Sequence, residues 1–205
     1  MSKTKVLCFI PVHRNLEAMF GLSLLELQKH EIMRGEVELK IKFLVGESLI
    51  PRARNTIANK FLKTDYDYLL MIDSDLIFTC DVLEKLLGHN KMLVGANYVH
   101  KTGVKKWAGK PDDFDLELSP ASFIPTGMML IKRSVLELLK EKLDLPSYKS
   151  SEGKQYGFFN CFVEDEVFLS EDWSFSKRCE KANVKGFIDN TVKLAHIGQK
   201  LFVGY

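Results

Sequence analysis

Apolar residues run almost unbroken through Lys5-Val6-Leu7-Cys8-Phe9-Ile10-Pro11-Val12, the pattern of a strand covered on both faces, and Pro11 is expected to terminate it. A helical spacing follows, with Leu16, Met19, Phe20, Leu24, Leu27 and Met33 as its inward face and Gly35 as its stop. Residues 37–45 alternate as a second strand. Pro51 opens a helix that reaches about Lys63, and the apolar run 66–72 is a third strand that stops on Asp73. A helix over 81–87 ends at Gly88, and 92–98 is the next strand. Strand and helix in alternation predict an α/β chain with a parallel, doubly wound sheet.

The second half is patterned differently. Polar stretches at 100–120 and 144–157 are expected to be long loops, and loops of that length in a compact domain usually carry function. Around them the pattern predicts a strand at 123–131, a helix at 134–143, a strand at 161–168, a helix at 170–181 and strands at 184–188 and 192–195. No repeat, low-complexity tract or linker divides the chain, and 205 residues with 46% apolar content suit one domain.

Charge narrows the partners. With 29 basic and 27 acidic side chains the net charge is +2, which gives no general reason to bind nucleic acid or an anionic membrane, so any anion site must be local. Cys8, Cys80, Cys161 and Cys179 form no Cys-x-x-Cys pair and read as reduced thiols of a cytoplasmic protein. No apolar run is long enough for a membrane span.

Chemistry concentrates where strands end. Asp73-Ser74-Asp75 closes the third strand, and ligands of open α/β sheets collect outside the carboxyl ends of their strands. Taken alone the motif reads as easily as an acidic turn. Arg54 lies on the same helix face as Ile57, Ala58, Phe61 and Leu62, so it points inward, either to an anion at the sheet edge or to a structural acid. Arg52, Asn55, Thr56, Asn59 and Lys63 fall on the other faces. Pro11, Val12 and His13 leave the first strand at that edge and Glu47 leaves the second, so a nucleotide could lie across them with its base at Glu47 and its ribose at Asp73. His196, after the last strand, is the best placed of five histidines to join Asp75 on a cation, and an oxygen–imidazole shell suits manganese better than magnesium. Ser170-Glu171-Asp172-Trp173 opens a helix. Ser170 can cap it and the acids can meet its dipole, or Asp172 can act as a general base with Trp173 as a platform for a sugar ring.

In order along the chain, Arg52-Ala53-Arg54-Asn55, Leu69-Leu70-Met71-Ile72-Asp73-Ser74-Asp75, Gly95-Ala96-Asn97-Tyr98, Pro125-Thr126-Gly127-Met128 and Glu171-Asp172 resemble the layout of nucleotide-sugar glycosyltransferases of the GT-A fold, the small single-domain viral (chlorella-virus type) and bacterial members in particular. The resemblance implies a Rossmann-like, mostly parallel sheet flanked by helices, with residues 1–98 as the nucleotide-binding half and 99–205 as the donor-sugar and acceptor half. It implies that Asp75 and His196 hold Mn2+ or Mg2+ on the diphosphate of a donor, UDP-sugar being favoured. Asp73 would hold ribose or sugar, with Ser74 and Asn97 also on the donor, Lys200 reaching a phosphate and Gly127-Met128 forming the turn beneath the sugar. Asp172 would be the base of an inverting displacement onto a glycan or other hydroxyl acceptor, with Glu171 and Trp173 on the acceptor side. For a viral member the compartment would be the host cytoplasm.

Competing readings have specific signatures. A nucleotidyltransferase cradles a triphosphate on a glycine-rich segment after its first strand, and Pro11-Val12-His13-Arg14-Asn15-Leu16 has no glycine. A haloacid-dehalogenase-type phosphatase opens on its Asp-x-Asp strand, which here is mid-chain. A non-catalytic nucleotide- or carbohydrate-binding module would need Asp172 only as a cap. Acceptor identity, oligomeric state and a longer parent chain are left open.

Overall fold

The structure, a computed structural model, describes residues 3–101, 106–198 and 201–203. β1 (Thr4–Val12), α1 (Ala18–Arg34), β2 (Val37–Val45), α2 (Ile50–Leu62) and β3 (Tyr68–Ile72) form the expected opening, with β2, β1 and β3 parallel neighbours. β1 does not end at Pro11. Its pairing with β3 stops at Phe9↔Met71, so the proline, which has no N–H, lies where only β2 runs alongside, and the strand continues to Val12↔Val45. A short β4 (Leu76–Phe78), absent from the sequence reading, precedes α3 (Val82–Gly88) and β5 (Leu93–Ala96).

The later half departs from the expected pattern. After β6 (Lys110–Pro111) and β7 (Leu118–Phe123), the segment 124–127 turns the chain into β8 (Met128–Lys132), so the single strand expected at 123–131 is two. β8 lies between β3 and β5 and antiparallel to both. α4 (Arg133–Lys142) leads to β9 (Ser147–Ser150) and β10 (Gly153–Tyr156), a hairpin where a loop was expected. The strand expected at 161–168 is a second hairpin, β11 (Phe162–Glu164) and β12 (Val167–Leu169). Its two-residue turn, Asp165-Glu166, has φ of 49° and 62°, the left-handed pair that suits the twist of a hairpin. α5 (Glu171–Lys181), β13 (Gly186–Asp189), β14 (Leu194–Ile197) and β15 (Leu201–Val203) complete the described chain.

The eight-stranded sheet has the order β2-β1-β3-β8-β5-β13-β7-β6, and β8 and β7 run against the other strands, so the sheet is mostly parallel but mixed. Successive β1 residues serve opposite faces. Val6, Cys8 and Ile10 pack with Phe20, Leu24 and Leu27 of α1, whereas Leu7 and Phe9 pack with Ile57 and Phe61 of α2, Leu136 of α4 and Phe175 of α5. Each such fully buried side chain contributes roughly 1.5–3 kcal/mol. Leu16, Met19 and Met33, expected to face inward, are exposed, because the narrow strip of α1 that meets β2 and β4 is filled by Phe20, Leu24 and Leu27. Among the described residues no helix is long and apolar enough to cross a membrane.

Candidate active site at the carboxyl edge of the sheet

β1, β2, β3 and β5 end at one edge. Because β8 runs the other way, its start meets that edge: Ile72 pairs with Met128, and the Asp73 N–H donates to the Gly127 carbonyl at 2.9 Å. Asp73-Ser74-Asp75 is a tight turn between β3 and β4, closed by a 3.3 Å bond from Leu76 N–H to the Asp73 carbonyl. Ser74 is half-buried within it. The turn sends its two carboxylates to different partners.

Asp73 joins an ion-pair network centred on Arg54, whose buried Nη1 has no hydrogen-bond partner among the described residues. Arg54 Nη2 donates to Asp73 Oδ1 and Oδ2 at 2.9 and 3.2 Å, and Arg54 Nε to Glu171 Oε1 at 3.3 Å. The Arg54 side chain is only 3% exposed, so of its two open readings the salt bridge to acids is the one seen, although the acids are those of the edge itself. Burial works against its charge, and Asp73 and Glu171 outweigh burial, holding the guanidinium firmly protonated. Burial raises the Glu171 carboxyl above its ordinary value, with Arg54 opposing. Tyr98, buried beside them, has its phenol pushed up, mainly by burial and then by Asp73, and stays protonated. A Cβ on Gly127 would stand 2.6 Å from the Tyr98 hydroxyl, so the glycine is what allows that ring its place.

Asp75 stands in a more open cluster. His196, 121 residues away, lies within β14 rather than after the last strand, and β14 is fastened to β4 and to the Asp75 carbonyl, which accepts from Ile197 N–H at 2.7 Å. His196 Nδ1 lies 3.0 Å from the Val99 carbonyl, which can only accept. Nδ1 therefore carries the proton, and in the neutral ring Nε2 presents a lone pair to Asp75 Oδ1 at 3.5 Å. Oδ1 is buried and, among the described residues, without a hydrogen-bond partner. The other oxygen, Oδ2, pairs with Lys101 Nζ. Burial would raise the Asp75 pKa; His196, when its ring is also protonated at Nε2 and pairs with Oδ1, and Lys101 oppose burial and hold the carboxyl below its usual range, so the lone-pair arrangement belongs to the neutral ring. Two acceptors facing each other across a gap, with the histidine's far nitrogen bonded to a carbonyl, fit a divalent cation. Among the described residues no third His, Cys, Asp or Glu converges there.

Asp172 sits at the start of α5. Ser170 does not cap: its hydroxyl donates to Asp172 Oδ1 instead of accepting from a helix N–H, and no side chain caps α5. Trp173 N–H also donates to Oδ1, at 2.9 Å. Among the described residues nothing holds Oδ2, so the carboxylate is anchored by one oxygen and open at the other. Trp173 stacks on Phe123 at 3.9 Å between ring centroids, which commits one of its faces.

No family model matches the chain, and no curated protein matches it in sequence. Solved structures do. A197 from STIV superposes with a TM-score of 0.60 at 18% identity over 98% of this chain and 94% of that one. A Drosophila β1,4-galactosyltransferase 7 mutant, in complex with manganese, UDP-Gal and xylobiose, gives 0.55 at 16% identity over 95% of this chain and 71% of that one. S. aureus TarS in complex with UDP-GlcNAc gives 0.50 at 14% identity, 97% of this chain covering 57% of that one. The chain has the GT-A fold.

On this GT-A scaffold the remaining expected residues divide. Pro11 and Val12 are buried at the end of β1, with the Val12 carbonyl accepting from Gly46 N–H at 2.9 Å, while His13 beyond them is exposed. Glu47 reaches Arg52 Nη2 at 2.8 Å and Leu49 N–H at 2.9 Å, and Arg52 foremost depresses its pKa. Asn97 does not face a donor. Its amide accepts from Gly109 N–H at 2.8 Å and Tyr98 N–H at 3.1 Å and pins the 97–109 segment from within. The Met128 side chain is fully buried in the core, so it too cannot touch a sugar. Lys200 lies outside the described residues.

Sequence reading missed three groups. Lys101 falls in the stretch expected to be a long loop, Tyr98 enters the sequence pattern only as the end of a strand and of the 95–98 motif without a role of its own, and Asn55 and Asn59 fall off the apolar face of α2. Both asparagines are buried. Asn55 Oδ1 accepts from Phe159 N–H at 2.7 Å, and Asn59 exchanges bonds of 3.0 and 2.9 Å with the Tyr156 backbone, binding α2 to the 147–160 segment. Polar residues spaced four apart on a face opposite the core were the available signal.

Proposed function

We propose that this chain is a metal-dependent glycosyltransferase that moves a sugar from a nucleoside-diphosphate donor, UDP-sugar favoured, to an acceptor hydroxyl with inversion. The observation that carries the reading is the Asp75–His196 pair: a carboxylate oxygen that is buried and, among the described residues, without a hydrogen-bond partner, facing an imidazole whose Nδ1 is directed to the Val99 carbonyl. Asp75 and His196 would hold the cation, with Mn2+ suiting their mixed oxygen and nitrogen donors better than Mg2+. When bound, that cation supplies Lewis-acid stabilisation of the charge developing on the leaving diphosphate.

The chain's own residues do the rest. Asp73, oriented by Arg54, offers its carboxylate to ribose or sugar hydroxyls, while Glu47, Pro11, Val12 and His13 line the route of the base and Ser74 lies between the two acids. Asp172 receives the acceptor proton on Oδ2, since Oδ1 is already held by Ser170 and Trp173. Glu171, uncharged more readily than a surface carboxylate, borders the acceptor with Trp173. The division into a nucleotide half, 1–98, and a sugar and acceptor half, 99–205, belongs to the same proposal, as does action in the cytoplasm. Complexes of the similar folds with UDP-Gal and UDP-GlcNAc support the donor class.

The test is to supply a panel of nucleotide sugars with Mn2+ and follow release of nucleoside diphosphate. Turnover that depends on Asp75 and Asp172 is the expected result; no binding or turnover of any donor would overturn it. Donor binding without transfer in the native protein would favour a binding module.

A further inference from the structure

The segment that follows β5 surrounds the Asp75–His196 pair on several sides. The Tyr98 ring meets the His196 ring edge-on, with centroids 5.1 Å apart, the Val99 carbonyl takes the Nδ1 proton, and Lys101 Nζ lies on Asp75 Oδ2. That segment is fastened backbone to backbone: Val99 bridges Trp107, His100 N–H donates to the Lys106 carbonyl at 2.8 Å, and Ala108 N–H to the Tyr98 carbonyl at 2.9 Å. Lys101 comes directly after this anchored ribbon and is 35% exposed, so its flexible four-carbon stem can swing without disturbing the backbone.

Charge gives that position a consequence. Among the described residues Asp75 is the one carboxylate at the candidate cation site, and the Lys101 ammonium already neutralises it. A divalent cation on Oδ1 and His196 would stand a carboxylate's width from a like charge on Oδ2, and the repulsion is relieved once a diphosphate brings negative charge that the ammonium can meet instead.

Resting on the glycosyltransferase reading above, we propose that Lys101 is the resident counter-cation of this site: it holds Asp75 against metal until donor arrives, then moves to a diphosphate oxygen as a second positive charge on the leaving group. Metal and nucleotide are thereby coupled, each strengthening the other's binding by the same factor.

The experiment measures Mn2+ binding by electron paramagnetic resonance of the free ion, with and without a nucleoside diphosphate (UDP, then GDP), for the native protein, Lys101→Met and Lys101→Arg, with Asp75→Ala as reference. Without nucleotide, Lys101→Met should bind Mn2+ roughly fivefold more tightly than the native protein, the scale of a half-exposed ion pair. With nucleotide bound the order should reverse, Lys101→Met becoming several-fold weaker, and Lys101→Arg should follow the native protein in both arms. Equal Mn2+ affinity of the native protein and Lys101→Met without nucleotide overturns the proposal and leaves the metal site standing. Reversal failing while that first difference is seen removes the leaving-group role. Asp75→Ala binding Mn2+ as well as the native protein, or no Mn2+ binding by any form, removes the metal reading itself and Lys101 with it.

Discussion

Asp73 and Asp75 leave the same turn and end in unlike surroundings. Asp73 is locked to Arg54, which also grips Glu171, so that a buried guanidinium lies between two half-buried acids. Asp75 has one oxygen on a half-exposed lysine and the other facing a histidine without a bond between them. The Arg54 network is costly to open, because removing either acid deprives a buried guanidinium of one of its two carboxylates. The open cluster is cheap to rearrange, since its ammonium partner is partly exposed. The contrast teaches that one short acidic motif can supply both the rigid floor of a site and its exchangeable ligand position, the division being made by what each carboxylate meets.

The largest effect expected at this edge concerns Asp172, which shares the character of both regions: one oxygen held, the other open. Asp172→Asn should lower transfer by about a hundredfold to ten-thousandfold while nucleotide binding is kept, measured by single-turnover transfer beside calorimetric titration. A variant that transfers normally would move the base elsewhere.

Next, Arg54→Met should destabilise the fold by about 1–3 kcal/mol, since the half-buried Asp73 and Glu171 would lose their shared cation. Asp75→Asn should change stability by no more than about 1 kcal/mol while abolishing metal binding. Urea denaturation of both variants checks the pair, and similar losses would erase the distinction between the two regions.

Gly127→Ala probes the link between them. The new methyl group would press on the Tyr98 ring, which touches His196, at a cost of about 1–3 kcal/mol and with weakened Mn2+ binding. Unaltered metal affinity would show that Tyr98 does not position the imidazole.

The smallest effect is one of pH. The folded-state pKa of Glu171 lies above 4.5, its ordinary value, chiefly through burial, so between 4.5 and that raised value the folded protein holds a proton the unfolded chain has released. Its contribution to stability therefore falls as pH rises through that window. Glu171→Gln should flatten this part of the stability curve, followed by urea unfolding at successive pH values; parallel curves for the two proteins would contradict the assignment.

Much of the first half of the fold was legible in the sequence because its signals are local. The unbroken apolar run of β1, the alternation of β2, Pro51 at a helix start and Arg54 on the inward face of α2 all follow from neighbouring residues alone. The second half was harder. β8 reads as a buried strand in either direction, and only its neighbours β3 and β5 show that it is inserted antiparallel, which brings Gly127 to the carboxyl edge. The hairpin at 162–169 hid because its left-handed turn is built from Asp165 and Glu166 rather than from asparagine or glycine. Met128 and Asn97 matched motif positions, yet the core and the Gly109 backbone have taken their side chains.

By itself the sequence determined the β1–β3 opening, the acids that follow β3 and the inward apolar stripe of α2 with Arg54, since these depend on periodicity and residue type within one element. Tertiary structure alone decided which acid is closed and which is open. That outcome depends on groups far along the chain, Glu171 with Arg54 on one side and His196, Val99 and Lys101 on the other, brought together by the inserted β8 and the β4–β14 pairing. The charge and hydrogen-bond state of a carboxylate is set by what lies within a few ångströms in space, and no spacing in the sequence encodes that distance.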